Sequence, residues 1–413
     1  MHNGLRAASV LAVSALALAL AGCGASATGD GAPQDGPRTL TIYSSLPLHG
    51  PDRERSRDMV NAIKLALQQS GGKIGALSVT YASLDSATAE DGGWTSDRVL
   101  DNARTAVRDV NAIAYIGDLD SAATALSLPL TNEGHILQVS PSSTYDGLTR
   151  PGSRRPAEPE RFYPSGRRTF GRVVPADHVQ ASALVRYMKA EGVRRPALLA
   201  DRGLYGGGLA DQIVDAASRQ GIEVLDRRRI DARKGELSGR AAGIASLDAD
   251  AFLLAGGATA GAARIYEAVA AADPDLPLFG PAAVADAAFV RMLPAAVARR
   301  MRVIAPALPP RLLPRAAREV DARFRTTFGR RPTPDALQAY EATSVILDSI
   351  RRAGARGNDR RAVTDAFFAT RDRSSVLGTY SIDRFGDTSL STFAGSRLTR
   401  SGLVLDKVLK VRR

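Results

Sequence analysis

The chain has 413 residues, 44% of them apolar, and a formal net charge of +12 from 55 Lys and Arg against 43 Asp and Glu. That length exceeds one hydrophobic core and predicts two lobes, while the apolar share excludes a largely disordered chain. The basic residues are mixed with acids in knots such as Asp226–Asp231 and Arg351–Arg361. Few aromatics accompany them, so they read as solvated surface and not as a nucleic-acid interface.

The start carries Arg6 and then an unbroken apolar or small stretch from Ala7 to Ala21. The stretch is short for a membrane span and suits the core of an export signal. It ends in Leu20-Ala21-Gly22-Cys23, which resembles a bacterial lipobox, where cleavage precedes a cysteine that is then lipidated. The alternatives are an uncleaved anchor helix or a chance buried thiol. Cys23 is the only cysteine, so no internal disulfide can form. Residues 1–22 are therefore expected as signal and 23–38, rich in Gly, Ala, Asp and Pro, as a flexible tether.

From Thr39 onward, β-branched runs alternate with amphipathic ones. Strands are expected at 39–46, 77–84, 112–119 and 135–140. Helices are expected at 57–72, at 95–109 behind a Thr95 or Ser96 N-cap, and at 121–134 with a bend at Pro129. This spacing predicts a parallel sheet with right-handed crossovers. The rhythm restarts at Thr169 and runs to Pro281, predicting a second α/β lobe. Beyond Arg302 come one strand, two helices (the second opened by Pro334) and short antiparallel strands. The elements predict two Rossmann-like lobes with parallel sheets joined by a multi-strand hinge. The expected boundaries are 39–170 plus 304–374 for the first lobe and 171–303 plus 375–413 for the second.

No His, Cys or Asp cluster has metal-ligand spacing, and there is no G-x-S-x-G elbow or P-loop. "YGGGLA" lacks the dinucleotide spacing. The sequence therefore points to a binding module and not an enzyme, with no cofactor expected.

The lipobox, the two lobes and the phrases "AYIGDLDSAATALSLPLTNEGHILQVSPSSTYDGLT", "FYPSGRRTFGRVVPADHVQA" and "DRGLYGGGLADQI" resemble the type I periplasmic binding proteins, in the branch that binds Leu, Ile and Val for ABC importers. The resemblance runs from about Thr39 to the C-terminus and implies a lipid-anchored protein outside the cytoplasm. It would close its lobes on a small polar solute and dock on a permease with an ATPase partner. A sensor of the same fold is the alternative. In such proteins ligand lies at the carboxyl ends of the strands, where helix N-termini present free N–H groups.

By this resemblance Ser121, at the start of a helix, serves as a carboxylate contact, as an N-cap, or as both. A backbone carbonyl near Ser142 and the Thr144 hydroxyl suit an ammonium, against the alternative of a plain serine turn. Tyr205 is expected as an aromatic lid, or as cover for its own turn. The branch pairs the ligand ammonium with an acid from the second lobe, and Lys234 falls nearest that position, with Glu236 two residues on. A cleft-facing Lys234 would favour an anion. Asp118 and Asp120 are candidates for the negative charge from the first lobe. Arg53 and Arg55 stand where the branch often has an aromatic contact, or are solvated.

Overall fold

The computed structural model describes residues 38–151, 155–230, 237–399 and 402–411. A six-stranded sheet runs in the order Lys73–Ile74, Leu77–Asp85, Thr39–Leu46, Ala112–Gly117, Leu137–Ser140, Phe170–Arg172. All its pairings are parallel except the first. Full burial on both faces, as in Ala112–Gly117, explains why this strand reads as a continuous apolar run and not as an alternation. Helices Arg53–Gln69 and Pro334–Arg352 lie together against the sheet. They bury Met59, Ile63, Ile346 and Ile350 with Leu40, Ile42 and Ile116. Each such side chain contributes about 1.5–3 kcal/mol relative to exposure.

The second sheet runs Asp226–Ile230, Pro196–Asp201, Ala251–Ala255, Leu278–Gly280, Met301–Ala305, Thr392–Thr399, Gly402–Lys410. Its first five strands are parallel and its last two antiparallel. One face carries a core around Phe252, Tyr266 and Phe289, the other a core around Leu184, Tyr187 and Phe279.

The chain passes between the two sheets three times. Val173 is packed in the first core and Val179 in the second lobe. Ile304 lies in the second lobe and Leu313 against the first core, and Leu390 against the first core with Phe393 back in the second lobe. The expected boundaries at 170/171, 303/304 and 374/375 thus differ from the crossings. Phe170–Arg172 pairs wholly in the first sheet and Met301–Ala305 wholly in the second. The hairpin Arg373–Ser375 with Gly378–Tyr380 leaves Val376, Tyr380 and Ile382 in the first core. A strand or hairpin that shares one buried face is not divided between two cores. Apolar pattern reveals that face but not which sheet receives it.

The first and last crossings meet at a buried charge network. Arg172, fully buried, donates Nε to Asp387 Oδ1 at 2.8 Å and Nη1 to the carbonyls of Ser143 and Tyr145 at 3.1 and 3.0 Å. Nη2 donates to the Thr149 hydroxyl. Arg150 donates Nε to the other Asp387 oxygen at 2.5 Å and Nη2 to Asp383 at 2.6 Å. Gly386 brings the backbone close enough for its carbonyl to accept from Arg172 N at 2.9 Å. At a φ of 94°, a Cβ on Gly386 would fall 2.2 Å from the Phe170 carbonyl oxygen, so only glycine fits. The network ties the loop after strand Leu137–Ser140 to the chain's last crossing.

Candidate functional site

The carboxyl ends of both parallel sheets supply loops to a common region. In the first lobe, strand Ala112–Gly117 hands over to helix Ser121–Glu133 through Asp118, Leu119 and Asp120. Asp120, not Ser121, is the N-cap: its Oδ1 accepts from Ala122 N at 2.7 Å. Ser121 Oγ is buried and accepts from the backbone N–H groups of Thr144 and Tyr145 at 3.2 and 3.3 Å. It therefore braces the loop that carries Thr144. Ser142 turns its hydroxyl inward, donating to the Leu119 carbonyl at 2.6 Å. Asp118 is buried beneath these loops, accepts from Ser127 at 2.5 Å and leaves Oδ1 without a donor. Burial raises its carboxyl to about 7.

The second lobe contributes three pieces. Strand Pro196–Asp201 ends on Asp201, whose carboxylate accepts from Gly203 N at 2.8 Å and Gly257 N at 3.1 Å. Tyr205 lies in the first turn of helix Leu204–Gln220, and its hydroxyl reaches Gln180 Oε1 at 3.3 Å. The same Gln180 oxygen accepts from Ala282 N at 2.8 Å. Gln180 Nε2 donates to Asp177 Oδ1 at 3.0 Å, and Asp177 N donates to the Thr144 carbonyl at 2.9 Å. A continuous chain of hydrogen bonds therefore runs from Thr144 through Asp177 and Gln180 to Tyr205 and Ala282. Asp177 is fully buried with Oδ2 unpartnered. Burial first, and then the neighbouring Asp146 carboxylate, raise its carboxyl to about 7.

The lobes are apposed. The described residues form one compact unit, and helix Ser121–Glu133 touches helix Leu204–Gln220. Leu204 packs on the first-lobe cluster of Tyr145, Leu148 and Phe162. Tyr145 lies so close to Gly208 that a Cβ there would fall 2.4 Å from its Cε2. Gly208→Val is therefore expected to wedge the lobes apart. Small-angle scattering of the variant should show a larger radius of gyration than the parent, and an unchanged radius would refute the contact.

Ser121, Ser142, Thr144, Asp120 and Tyr205 thus converge on one region, with Asp118 below it. Arg55 points into an ion pair with Asp335 at 2.7 Å, and Arg53 is exposed. Lys234, Glu236 and Cys23 lie outside the described residues. Sequence reading missed Asp177, Gln180, Asp201 and Arg172. The available signal was an acid closing an apolar strand in "PALLAD" and an acid opening the helix after "RVVPA". Among the described residues, no three His, Cys, Asp or Glu side chains form a metal-binding group, and no helix is long and apolar enough to cross a membrane.

Two parallel α/β sheets, three crossings and loops facing each other at the strand ends define a two-lobed binding protein. A family model for periplasmic binding proteins matches residues 39–388, and the chain belongs to that family. The family is one of binding proteins and not of enzymes. Among solved structures, a leucine-binding protein from Thermotoga maritima has a TM-score of 0.77 at 19% identity, covering 90% of this chain and 99% of that one. A periplasmic binding protein type 1 from Bordetella pertussis has a TM-score of 0.75 at 15% identity, covering 89% and 99%. A solute-binding protein of an ABC transporter from R. palustris, in complex with benzoate, has a TM-score of 0.72 at 18% identity, covering 91% and 98%. The fold is thus the type I periplasmic binding fold. No curated protein sequence matches the chain.

Proposed function

We propose that the chain is the solute-binding protein of an ABC importer, lipid-anchored at Cys23 on the extracytoplasmic face. It captures a small polar solute, an amino acid of the branched-chain type or a related carboxylate or amide, and delivers it to a permease with its ATPase. The carrying observation is the convergence of Ser121, Thr144 and Tyr205 from opposite lobes, linked through Asp177 and Gln180. Family membership supports a binding role. The fold neighbours whose names state leucine and benzoate support a small organic solute.

In this reading Asp120, Ser121, the Ser142 carbonyl, Thr144 and Tyr205 face the ligand, and Lys234 remains a candidate from the second lobe. Binding stabilises the closed arrangement because only that arrangement lets one ligand touch both sets of loops. A panel of amino acids, amides and carboxylates in a thermal-shift assay on the mature protein tests this. At a hundredfold excess over Kd the cognate class is expected to add ~2.7 kcal/mol. No shift with any member would overturn the reading. Thr144→Ala and Tyr205→Ala are each expected to weaken binding about tenfold, the loss of one net hydrogen bond or lid contact. Unchanged affinity in both would remove these two residues from the site.

A further inference from the structure

The segment before the last crossing builds a cavity of its own. Its turn Asp383-Arg384-Phe385-Gly386 has an acid at the first position and a glycine at the last, as such turns favour. Gly386 N donates to the Asp383 carbonyl at 3.1 Å, and Asp383 Oδ1 accepts from Phe385 N and Asp387 N at 2.9 Å each. Arg384 and Phe385 therefore stand at the tip. Two guanidinium groups share the Phe385 ring: Arg150 and Arg384 each lie 4.7 Å from its centre. Together with Arg371 and Ser389 they line a cavity of about 490 Å³. None of the residues lining it belongs to the solute site described above.

Three arginines line this cavity against one carboxylate, Asp383. That carboxylate is fully engaged: Oδ2 accepts from Arg150 at 2.6 Å, and Oδ1 holds the turn. Asp387, the other partner of Arg150, is shared with Arg172. Asp372, the next acid, accepts from Ser381 Oγ at 3.4 Å. Among the described residues, neither Arg371 nor Arg384 has a carboxylate within ion-pairing distance. The undescribed stretch beside Arg150, Gly152 to Arg154, contains no acid. Two cations at one ring repel each other, and an anion between them removes that repulsion. Arg371 is also held in place. Its Nη1 donates to the carbonyls of Phe368, Thr370 and Ile382 at 2.9, 2.8 and 2.8 Å, leaving Nε and Nη2 open. A guanidinium anchored in this way gives up little further freedom when it binds. Ser389 Oγ accepts from Ser381 N at 2.8 Å, which leaves its own proton available to a ligand.

We propose that this cavity binds a phosphate group, held by the guanidinium groups of Arg371 and Arg384 and by the Ser389 hydroxyl, with Arg150 adding positive charge. A carboxylate offers two oxygens in one plane. A phosphate offers three, spread tetrahedrally and carrying up to two charges, which suits donors that come from separate segments around one cavity. The site is separate from the solute cleft and does not depend on which solute the cleft takes.

Calorimetric titration with pyrophosphate at low salt tests the assignment, on mature protein carrying Cys23→Ser so that no lipid is attached. Pyrophosphate is expected to bind more tightly than citrate and to weaken as salt is raised. Arg384→Gln is expected to weaken it about tenfold. The Arg384 guanidinium makes no hydrogen bond among the described residues, so this variant folds. Arg315→Gln, which removes an exposed arginine from another helix, is the control and is expected to stay within twofold of the parent. An unchanged affinity in Arg384→Gln would overturn the site. An equal loss in both variants would overturn it too, because net charge alone would then be at work. Citrate binding as tightly as pyrophosphate would overturn the phosphate assignment. Co-sedimentation with phosphatidylglycerol vesicles, but not phosphatidylcholine vesicles, that is displaced by pyrophosphate and weakened by Arg384→Gln would place the phosphate in a lipid headgroup. Pyrophosphate binding without co-sedimentation would place it in a free phosphate compound. Binding of neither pyrophosphate nor the anionic vesicles would overturn the proposal.

Discussion

Asp387→Ala is expected to cost about 3–5 kcal/mol of stability, because it leaves the Arg172 guanidinium buried without its counter-charge. Both groups are buried, and the carboxylate accepts from Arg172 and Arg150 on its two oxygens. The loss extends beyond the pair. Arg172 also holds the carbonyls of Ser143 and Tyr145 and the Thr149 hydroxyl, so the loop that carries Thr144 loses its anchor. Urea denaturation of the variant should show a lower midpoint, and ligand affinity should fall with it. Arg172→Met is the informative companion: if the charge pair alone matters, removing both charges together should cost less than removing either. The pair also sets an acid limit. Although burial opposes ionisation, the two arginines hold the Asp387 carboxyl down at about 2. A depressed carboxylate stabilises the fold above its unfolded value near 4, and that stability drains away as pH falls from about 4 to about 2. On the order of 2 kcal/mol should be lost over that window in the parent and not in Asp387→Ala.

Stability is expected to decline in the other direction too, as pH rises from about 4 to about 7. Asp118 and Asp177 are both buried with carboxyls raised to about 7. Between the unfolded value near 4 and 7 each keeps its proton in the folded chain and loses it in the unfolded one. The folded state therefore binds more protons, and raising the pH erodes its stability. The cost approaches ~4 kcal/mol for each group by pH 7, from the size of the displacement. Asp177→Asn and Asp118→Asn should each flatten the slope of melting temperature against pH between 4 and 7. They should also raise stability at pH 8 over the parent. A parent melting temperature that climbs from pH 4 to pH 7 would contradict this. With the acid limit set by Asp387, the maximum is expected near pH 4 to 5.

The contrast between these buried groups shows where sequence reading stops. "IGDLDSAAT" and "PALLADRGLYGGG" each mark a strand running into a helix, and the structure has those turns. Of the two N-cap candidates, Thr95 and Ser96, Thr95 is the cap, and Pro334 opens the helix it was expected to open. These are local signals: a hydroxyl reaching back to a free N–H, or a ring that fixes φ at a first turn, acts within four residues. Asp387 carries no comparable mark, and the mark at Asp177, an acid opening a helix, says nothing of its burial. Both are aspartates beside polar or turn residues. Their opposite displacements come from the fold: Asp387 is lowered by Arg172, 215 positions earlier in the chain, and by Arg150, while Asp177 is raised by burial first and then by Asp146 across a crossing.

The sequence by itself determined the two α/β lobes, the order of their elements, the turns at the strand ends and the cluster of hydroxyls from Ser140 to Thr144. Hydrophobic period and capping are short-range effects, so one chain displays them directly. Only the tertiary structure decided what those hydroxyls do. Ser121 and Ser142 hold backbone, while Thr144 meets Asp177. Only the fold also decided which buried charges meet: Arg172 pairs with Asp387, 215 positions away in the chain. Charge is summed over space, and the chain reveals which charges share a space only once both lobes are packed.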